Sequence, residues 1–553
     1  MKRNKYLLLG SSLGALALLA VAAYKENFQR EWRHIQALAV SDEGPVPVQL
    51  RQVVNPTLGI SDRCVSCHVT MAPGEQNVRG SAVLAAHRPV VHDPAEFGCT
   101  VCHGGQGLAT EKDDAHGDVE FWPQPMIPKQ MAQAGCGTCH VPLAVPDRRL
   151  LGEADAAFER LDCLACHRVD GRGGTIRPGG GGMEGPDLTR TGLSGYDHDW
   201  YGKHLEHRAD AAGGPWKSSF GEVAGKDLDL LNIYLATRIA APTLVKAKAV
   251  FHSAGCLGCH KVGGVGGEDG PDLSRAGEKD PGLVNIEAAA GPATLANWMA
   301  DHFRSPASLV VNSQMPAPAM PEEDIQLLTM YTLSLRRREI PGTYLPRDRV
   351  RASRFGEREF SADGATLFGA FCAGCHGPAG EGRHAPGIPS FPSIANPDFL
   401  RRAPDPLIIE TIRRGRPGRR MPGWDKEGGL RPDEIDRLAA WLREMGGPPI
   451  PDPKPARWVS ADAAAGKSLF ETACSGCHGM NGQGGEGPAL NNPVLLANAT
   501  DTYLVETISR GRTGTRMAAF SATSPVHRTL APTEIESIVM FLRSWEKPTG
   551  GKR

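Results

Sequence analysis

The sequence predicts a mainly α-helical, loop-rich chain: a three-motif module, then four small helical domains, all behind an N-terminal transmembrane helix. Three observations lead there. The pattern Cys-x-x-Cys-His occurs seven times in 553 residues and uses all 14 cysteines. From about residue 150 the chain repeats one unit of helix, motif, Gly-rich loop and amphipathic helix four times. An 18-residue apolar run, residues 6–23, follows Lys2, Arg3 and Lys5. Composition fits a loop-rich chain: 66 glycines and 44 prolines make up about a fifth of it, and aromatics only 6%, against about 12% Gly plus Pro on average. Large core side chains are scarce, so another apolar body must fill the cores. A formal charge of −1 lacks the basic excess of nucleic-acid-binding chains, so no nucleic acid partner is expected.

The motifs name that body. They are Cys64, Cys67 and His68; Cys99, Cys102 and His103; Cys136, Cys139 and His140; Cys163, Cys166 and His167; Cys256, Cys259 and His260; Cys372, Cys375 and His376; and Cys474, Cys477 and His478. This is the spacing of c-type haem attachment. The two thiols form thioethers to the haem, and the adjacent histidine is the proximal iron ligand. Structural zinc uses two Cys-x-x-Cys knuckles per ion, which suits neither an odd count nor a histidine after every pair. A disulfide framework would not require the histidine. Seven covalently attached haems c are expected.

Residues 1–24 read as a signal anchor and 25–50 as a juxtamembrane segment. The motifs resemble those of c-type cytochromes, in which haem is attached on the outer side of the energy-conserving membrane, and this implies export. Ala20-Val21-Ala22 offers a small-residue cleavage site, yet the run exceeds the usual 7–15 residue signal core. Eighteen apolar residues just span a bilayer. The expectation is a single-pass inner-membrane anchor with its basic end cytoplasmic and the haem domains periplasmic. No cysteine lies near it to carry a lipid, and no second run of that length exists.

The four repeated units occupy residues 151–240, 241–340, 355–447 and 458–553. Ala157-Phe158, Val250-Phe251, Leu367-Phe368 and Leu469-Phe470 enter the motifs. Gly-rich loops follow, with Gly185-Pro186, Gly270-Pro271 and Gly487-Pro488. Each unit closes on an i, i+3/i+4, i+7 apolar stripe: Leu228, Leu231, Tyr234 and Leu235; Ile325, Leu328 and Tyr331; Ile435, Leu438, Trp441 and Leu442; Ile535, Ile538, Phe541 and Leu542. That period marks amphipathic helices, and Pro432 and Pro532 stand where helix starts accept proline. A proline-rich stretch, residues 448–455, reads as a linker that allows the last unit to swing. In order of parts these units resemble class I (monohaem) cytochrome c.

That resemblance implies that two terminal helices cross beside each haem and that a loop methionine binds iron from the far side. Met421 and Met517 stand at the matching places for the sixth and seventh haems, and Met315 for the fifth, where Met320 abuts the closing helix. The fourth haem departs from the pattern. Residues 214–220 contain no methionine, leaving His204 as the favoured ligand, with His198, His207, Lys217, Met183 or an open iron as alternatives.

Residues 51–150 differ. Three motifs lie within 77 residues, too tight for class I domains, and the segment holds three further histidines, His87, His92 and His116. Three haems and three spare histidines point to bis-His ligation, with Met71 the main competitor and His34 nearer the membrane segment. The run around Cys99 and Cys102, with His116 after it, resembles a triheme module of membrane-associated multihaem cytochromes.

Methionine ligation raises haem potential relative to bis-His ligation. The chain therefore reads as an electron-transfer subunit rather than an enzyme with its own substrate. Electrons would enter at residues 51–150, from a membrane quinol-oxidising complex with a cytochrome b-type subunit. They would leave through the C-terminal domains to a soluble, periplasmic or oxidase acceptor. The alternative is a multihaem reductase or oxidase with an open iron at the fourth haem. No dinucleotide or phosphate-loop motif is present: the run around Gly180 lacks both the preceding strand and the following Lys-Ser/Thr.

Overall fold

A computed structural model describes residues 2–72, 78–80, 83, 87, 91–119, 122, 125–174, 185–195, 200, 202–203, 223, 225–336, 339–385 and 388–546. The chain is mainly helical, and the sheets among the described residues are two-stranded antiparallel hairpins. It divides into two compact units. Residues 1–140, 277–299 and 333–346 form one; residues 141–276, 300–332 and 347–553 form the other.

The first unit opens with helix α1, Lys2–Phe28. Its apolar window is wholly unburied, with Leu7, Leu13, Leu16 and Leu19 exposed. Twenty-seven residues extend roughly 40 Å, more than the ~30 Å hydrocarbon core of a bilayer. By length and composition α1 can cross a membrane.

Beyond α1, Ala39, Val46, Val69 and Val78 form one apolar cluster of this unit, and Val53, Val65 and Ala72 another. Buried polar clamps add to them. Gln36, fully buried, donates to the Ser66 carbonyl at 2.7 Å and accepts from Gln49 N at 2.9 Å and from Arg51. Asp62, also buried, ends the hairpin of Val53–Asn55 with Ile60–Asp62. Its carboxylate accepts Cys99 N at 2.6 Å, Thr100 N at 2.8 Å and the Thr100 hydroxyl at 2.9 Å. One carboxylate thus joins the strand before the first motif to the turn of the second. Gly107 must be glycine there, since a Cβ would lie 2.0 Å from Asp62 Oδ1.

The second unit contains the repeated helix pairs. Helices α2 (Arg148–Arg160) and α3 (Gly225–Ala236) flank the fourth motif, and α4 (Pro242–Ser253) and α5 (Glu322–Ser334) flank the fifth. Helix α6 (Gly364–Phe371) enters the sixth, followed by α7 (Asp405–Arg414) and the closing α8 (Pro432–Gly446). Helices α9 (Ala463–Ala473), α10 (Asp501–Arg510) and α11 (Pro532–Arg543) repeat that order around the seventh.

Local sequence explains the starts. Asp147, Asp363 and Asp462 cap α2, α6 and α9, each accepting a backbone N–H at 2.8–2.9 Å, as short acidic side chains do at this position. Pro432 and Pro532 open α8 and α11. Glu434 and Glu534 reach back to the N–H groups of Arg431 and Ala531 at 2.7 and 2.9 Å, satisfying a donor the helix leaves over.

In every repeat the aromatic residue before the motif meets an aromatic of the closing helix. Ring centroids are 3.9 Å apart for Phe158 and Tyr234, 4.7 Å for Phe251 and Tyr331, 4.7 Å for Phe368 and Trp441, and 5.4 Å for Phe470 and Phe541. Two crossings are also closed by glycine. A Cβ on Gly364 would lie 2.2 Å from Trp441 Cβ, and one on Gly466 would lie 1.9 Å from the Ser537 carbonyl.

The proline-rich linker is exposed along its length and is tied to the preceding repeat near its start. Ile450 N donates to the Arg401 carbonyl at 2.7 Å. Beyond it, Asn396 donates to the Thr513 carbonyl at 2.8 Å, Thr513 N to Asp398 at 2.8 Å, and Arg416 to the Ala489 carbonyl at 2.9 Å. These bonds hold the last two repeats together.

Candidate haem-binding sites

All seven motifs take the same shape. The histidine N–H donates to the carbonyl of the first cysteine at 2.8–3.0 Å in each: His68 to Cys64, His103 to Cys99, His140 to Cys136, His167 to Cys163, His260 to Cys256, His376 to Cys372 and His478 to Cys474. One helical turn thus carries both thiols and the imidazole, and positions i, i+3 and i+4 share a face. No cysteine is in a disulfide; all are half-buried except the exposed Cys477.

The Gly-Pro loops have a direct physical reason. His167 Nδ1 lies 2.9 Å from the Pro186 carbonyl, His260 Nδ1 2.8 Å from Pro271 O, and His478 Nδ1 2.8 Å from Pro488 O. His376 makes the same bond to Pro392 O at 2.8 Å. The carbonyl accepts the Nδ1 proton, which fixes the tautomer and leaves the Nε2 lone pair for a metal. The preceding glycine makes room. A Cβ at Gly185, Gly270 or Gly487 would lie 2.7, 2.4 or 2.7 Å from Cε1 of His167, His260 or His478. Burial also lowers the pKa of His260, His376 and His478, which favours the neutral, ligating form. Thiols, tautomer and clearance all suit a covalently held haem.

In the first unit, two of the spare histidines lie opposite motif histidines. His87 and His103 have ring centroids 6.1 Å apart, and His92 and His140 have theirs 5.9 Å apart. Two imidazoles on one metal at about 2 Å per bond have centroids on the order of 6 Å apart. His116 is near His68, whose pKa is lowered by burial and then, in smaller part, by His116. Ring geometry thus sets two of the three spare histidines against different motif histidines. Met71 instead packs against the Val53, Val65 and Ala72 cluster, and His34 is exposed.

The methionine loops of the last two repeats share a clamp that sequence reasoning missed. Arg416 N donates to the Met421 carbonyl at 2.9 Å, and Arg512 N to the Met517 carbonyl at 2.9 Å. Gly415 and Gly511 sit at φ +65° and +66°, and a Cβ on either would strike the returning strand at 2.4 Å. The signal was present as Arg-Gly-Arg-x-Gly-x-Arg-Met at 414–421 and again at 510–517. Met315 lacks this clamp; its N–H faces Ser313 Oγ at 3.3 Å. Met315, Met421 and Met517 are all half-buried. His204, His198, His207, Lys217 and Met183 lie outside the described residues. His252 is a core residue: fully buried, with Nδ1 3.2 Å from the Val145 carbonyl, and pushed down to about 3 by that burial. Sequence reasoning also missed Asp62, which no spacing rule marks.

Fold and motif geometry together define a class: a multihaem c-type cytochrome with tandem cytochrome c domains. Known families agree. Residues 244–336 and 463–546 match the cytochrome c family, residues 360–442 match cytochrome c oxidase, cbb3-type, subunit III, and residues 24–104 match cytochrome c554 and c-prime. The chain is 32% identical over 193 residues to the cbb3-type cytochrome c oxidase subunit FixP of Bradyrhizobium sp. (strain ORS 278), covering 33% of this chain and 60% of that one. It is 30% identical over 174 residues to the subunit CcoP of Azospirillum sp. (strain B510), covering 28% and 53%. The chain thus spans about 60% or less of the length of these relatives.

Proposed function

We propose that the chain carries seven haems c and conducts electrons from a membrane quinol-oxidising partner with a cytochrome b-type subunit to a periplasmic or oxidase acceptor. The observation that carries this reading is the sevenfold identity of the motif turn, with the imidazole of four of the histidines held by a proline carbonyl for a metal. Haem bound there supplies one-electron chemistry at iron.

The chain's own residues do the rest. Paired cysteines fix each haem. His68 with His116, His103 with His87, and His140 with His92 ligate the three irons of the amino-terminal module. Met315, Met421 and Met517 complete His260, His376 and His478, and His204 completes His167. Thioether ligation raises potential, so electrons run from the bis-His module toward the methionine-ligated repeats. Helix α1 anchors the chain in the inner membrane with the haem domains periplasmic. The relatives named as cbb3-type oxidase subunits favour a membrane oxidase complex as one partner.

The test is haem content and reactivity of the full-length protein purified from membranes. Alkaline pyridine spectra should give seven haems per chain, and mass spectrometry should find haem on all seven motif peptides. Carbon monoxide should bind little of the reduced protein. A count below seven contradicts the reading, and strong carbon monoxide binding favours catalysis at an open fourth iron. Co-purification with a cytochrome b-type subunit tests the donor.

A further inference from the structure

The fifth and sixth motifs meet back to back within the second unit. A Cβ on Gly255 would lie 2.1 Å from Gly374 N, and one on Gly374 would lie 2.3 Å from the Gly255 carbonyl. Gly258 faces the Phe371 carbonyl, with a Cβ there 3.0 Å away. The second cysteines of the two motifs, Cys259 and Cys375, have Sγ atoms 3.9 Å apart. Arg420, next to Met421, crosses the junction to Asp269 at 2.9 Å. Its Nη1 is buried without a hydrogen-bond partner.

From this geometry we infer that the fifth and sixth haems form a contact pair, an electronically coupled two-haem unit. The inference rests on the reading that both motifs carry haem. Each sulfur bonds directly to a substituent of its own porphyrin. Two sulfurs in van der Waals contact therefore hold the attached carbons no further apart than that contact plus two C–S bonds. With haem attached to both motifs, this would bring the two porphyrin edges close to one another. Glycine at 255, 258 and 374 is what lets the two turns approach so closely. An electron passing across such a pair would oxidise one iron as it reduced the other, with no bond made or broken.

Strong coupling between two porphyrin transitions gives a bisignate couplet in the Soret circular dichroism. The variant G374A keeps the backbone conformation, which is not left-handed at that residue, but drives a methyl group into the Gly255 carbonyl. G258A is a gentler wedge at the same junction. The wild-type full-length protein should show a couplet component that G374A loses and G258A reduces. Haem count and the methionine–iron absorption band should stay unchanged in both. Identical Soret dichroism in wild type and both variants, with the haem count intact, overturns the contact pair. Missing haem on the Cys256–Cys259 or Cys372–Cys375 peptide of the wild type overturns the seven-haem reading instead.

Discussion

His87 lies opposite His103, with their ring centroids 6.1 Å apart. The motif histidine comes from the one-turn helix Thr100–His103, and its partner from the segment between the first two motifs. That distance is the room a metal between two imidazoles needs. It fits the bis-His ligation proposed for the second iron of the amino-terminal module and makes the replacement of His87 informative. The H87A variant should open one iron, so the reduced protein gains carbon monoxide binding worth one haem equivalent. Unchanged carbon monoxide spectra would contradict the pairing.

Met421 is held by the Arg416 N–H clamp at 2.9 Å. Replacing it by histidine, M421H, should remove one share of the methionine–iron band and lower the potential of one high-potential haem, because thioether favours ferrous iron. Near-infrared spectroscopy with a redox titration checks both. A full band after substitution would remove Met421 from the ligand set.

Asp62 accepts two backbone donors and a hydroxyl. The D62A variant leaves those donors unsatisfied in a buried place, at about 1–3 kcal/mol for each buried group. Haem loading at Cys99 and Cys102 should fall and the amino-terminal module should melt earlier, with D62N milder. Calorimetry and peptide mass spectrometry read both effects. A wild-type melting profile would show that the clamp is dispensable.

Phe470 is fully buried between Phe541 and Trp545. F470A should cost roughly 3–5 kcal/mol through the lost aromatic and the cavity left behind. Denaturant unfolding followed at the methionine–iron band should show one haem domain released early, and a single unshifted transition would contradict this.

Much of this was legible from residues alone. The stripe containing Tyr234, Tyr331, Trp441 or Phe541 and the aromatic before each motif carried the helix pairing, because helical period and a fixed motif leave one face to pack. The Gly-Pro pairs were visible, but their reason was not: it lies in a carbonyl aimed at Nδ1 and a glycine under the ring. That His87 faces His103 and His92 faces His140 was hidden, because His87 and His92 lie in irregular segments whose path no periodicity encodes. Asp62 was hidden for the same reason, since it acts on Cys99 and Thr100 across 37 and 38 residues. The Arg-Gly-Arg-x-Gly-x-Arg-Met repeat could have been read from the sequence, as two copies, each between one of the last two motifs and its closing helix.

The central claim is a seven-haem chain whose bis-His end feeds its methionine-ligated end. A spectroscopic redox titration of the full-length protein tests it most directly, with the near-infrared bands of His/Met and His/His haems followed separately. The account predicts that the His/His bands titrate as a group of three haems at lower potential than the His/Met bands. Bis-His haems titrating above the methionine-ligated ones, or no bis-His band at all, would contradict it.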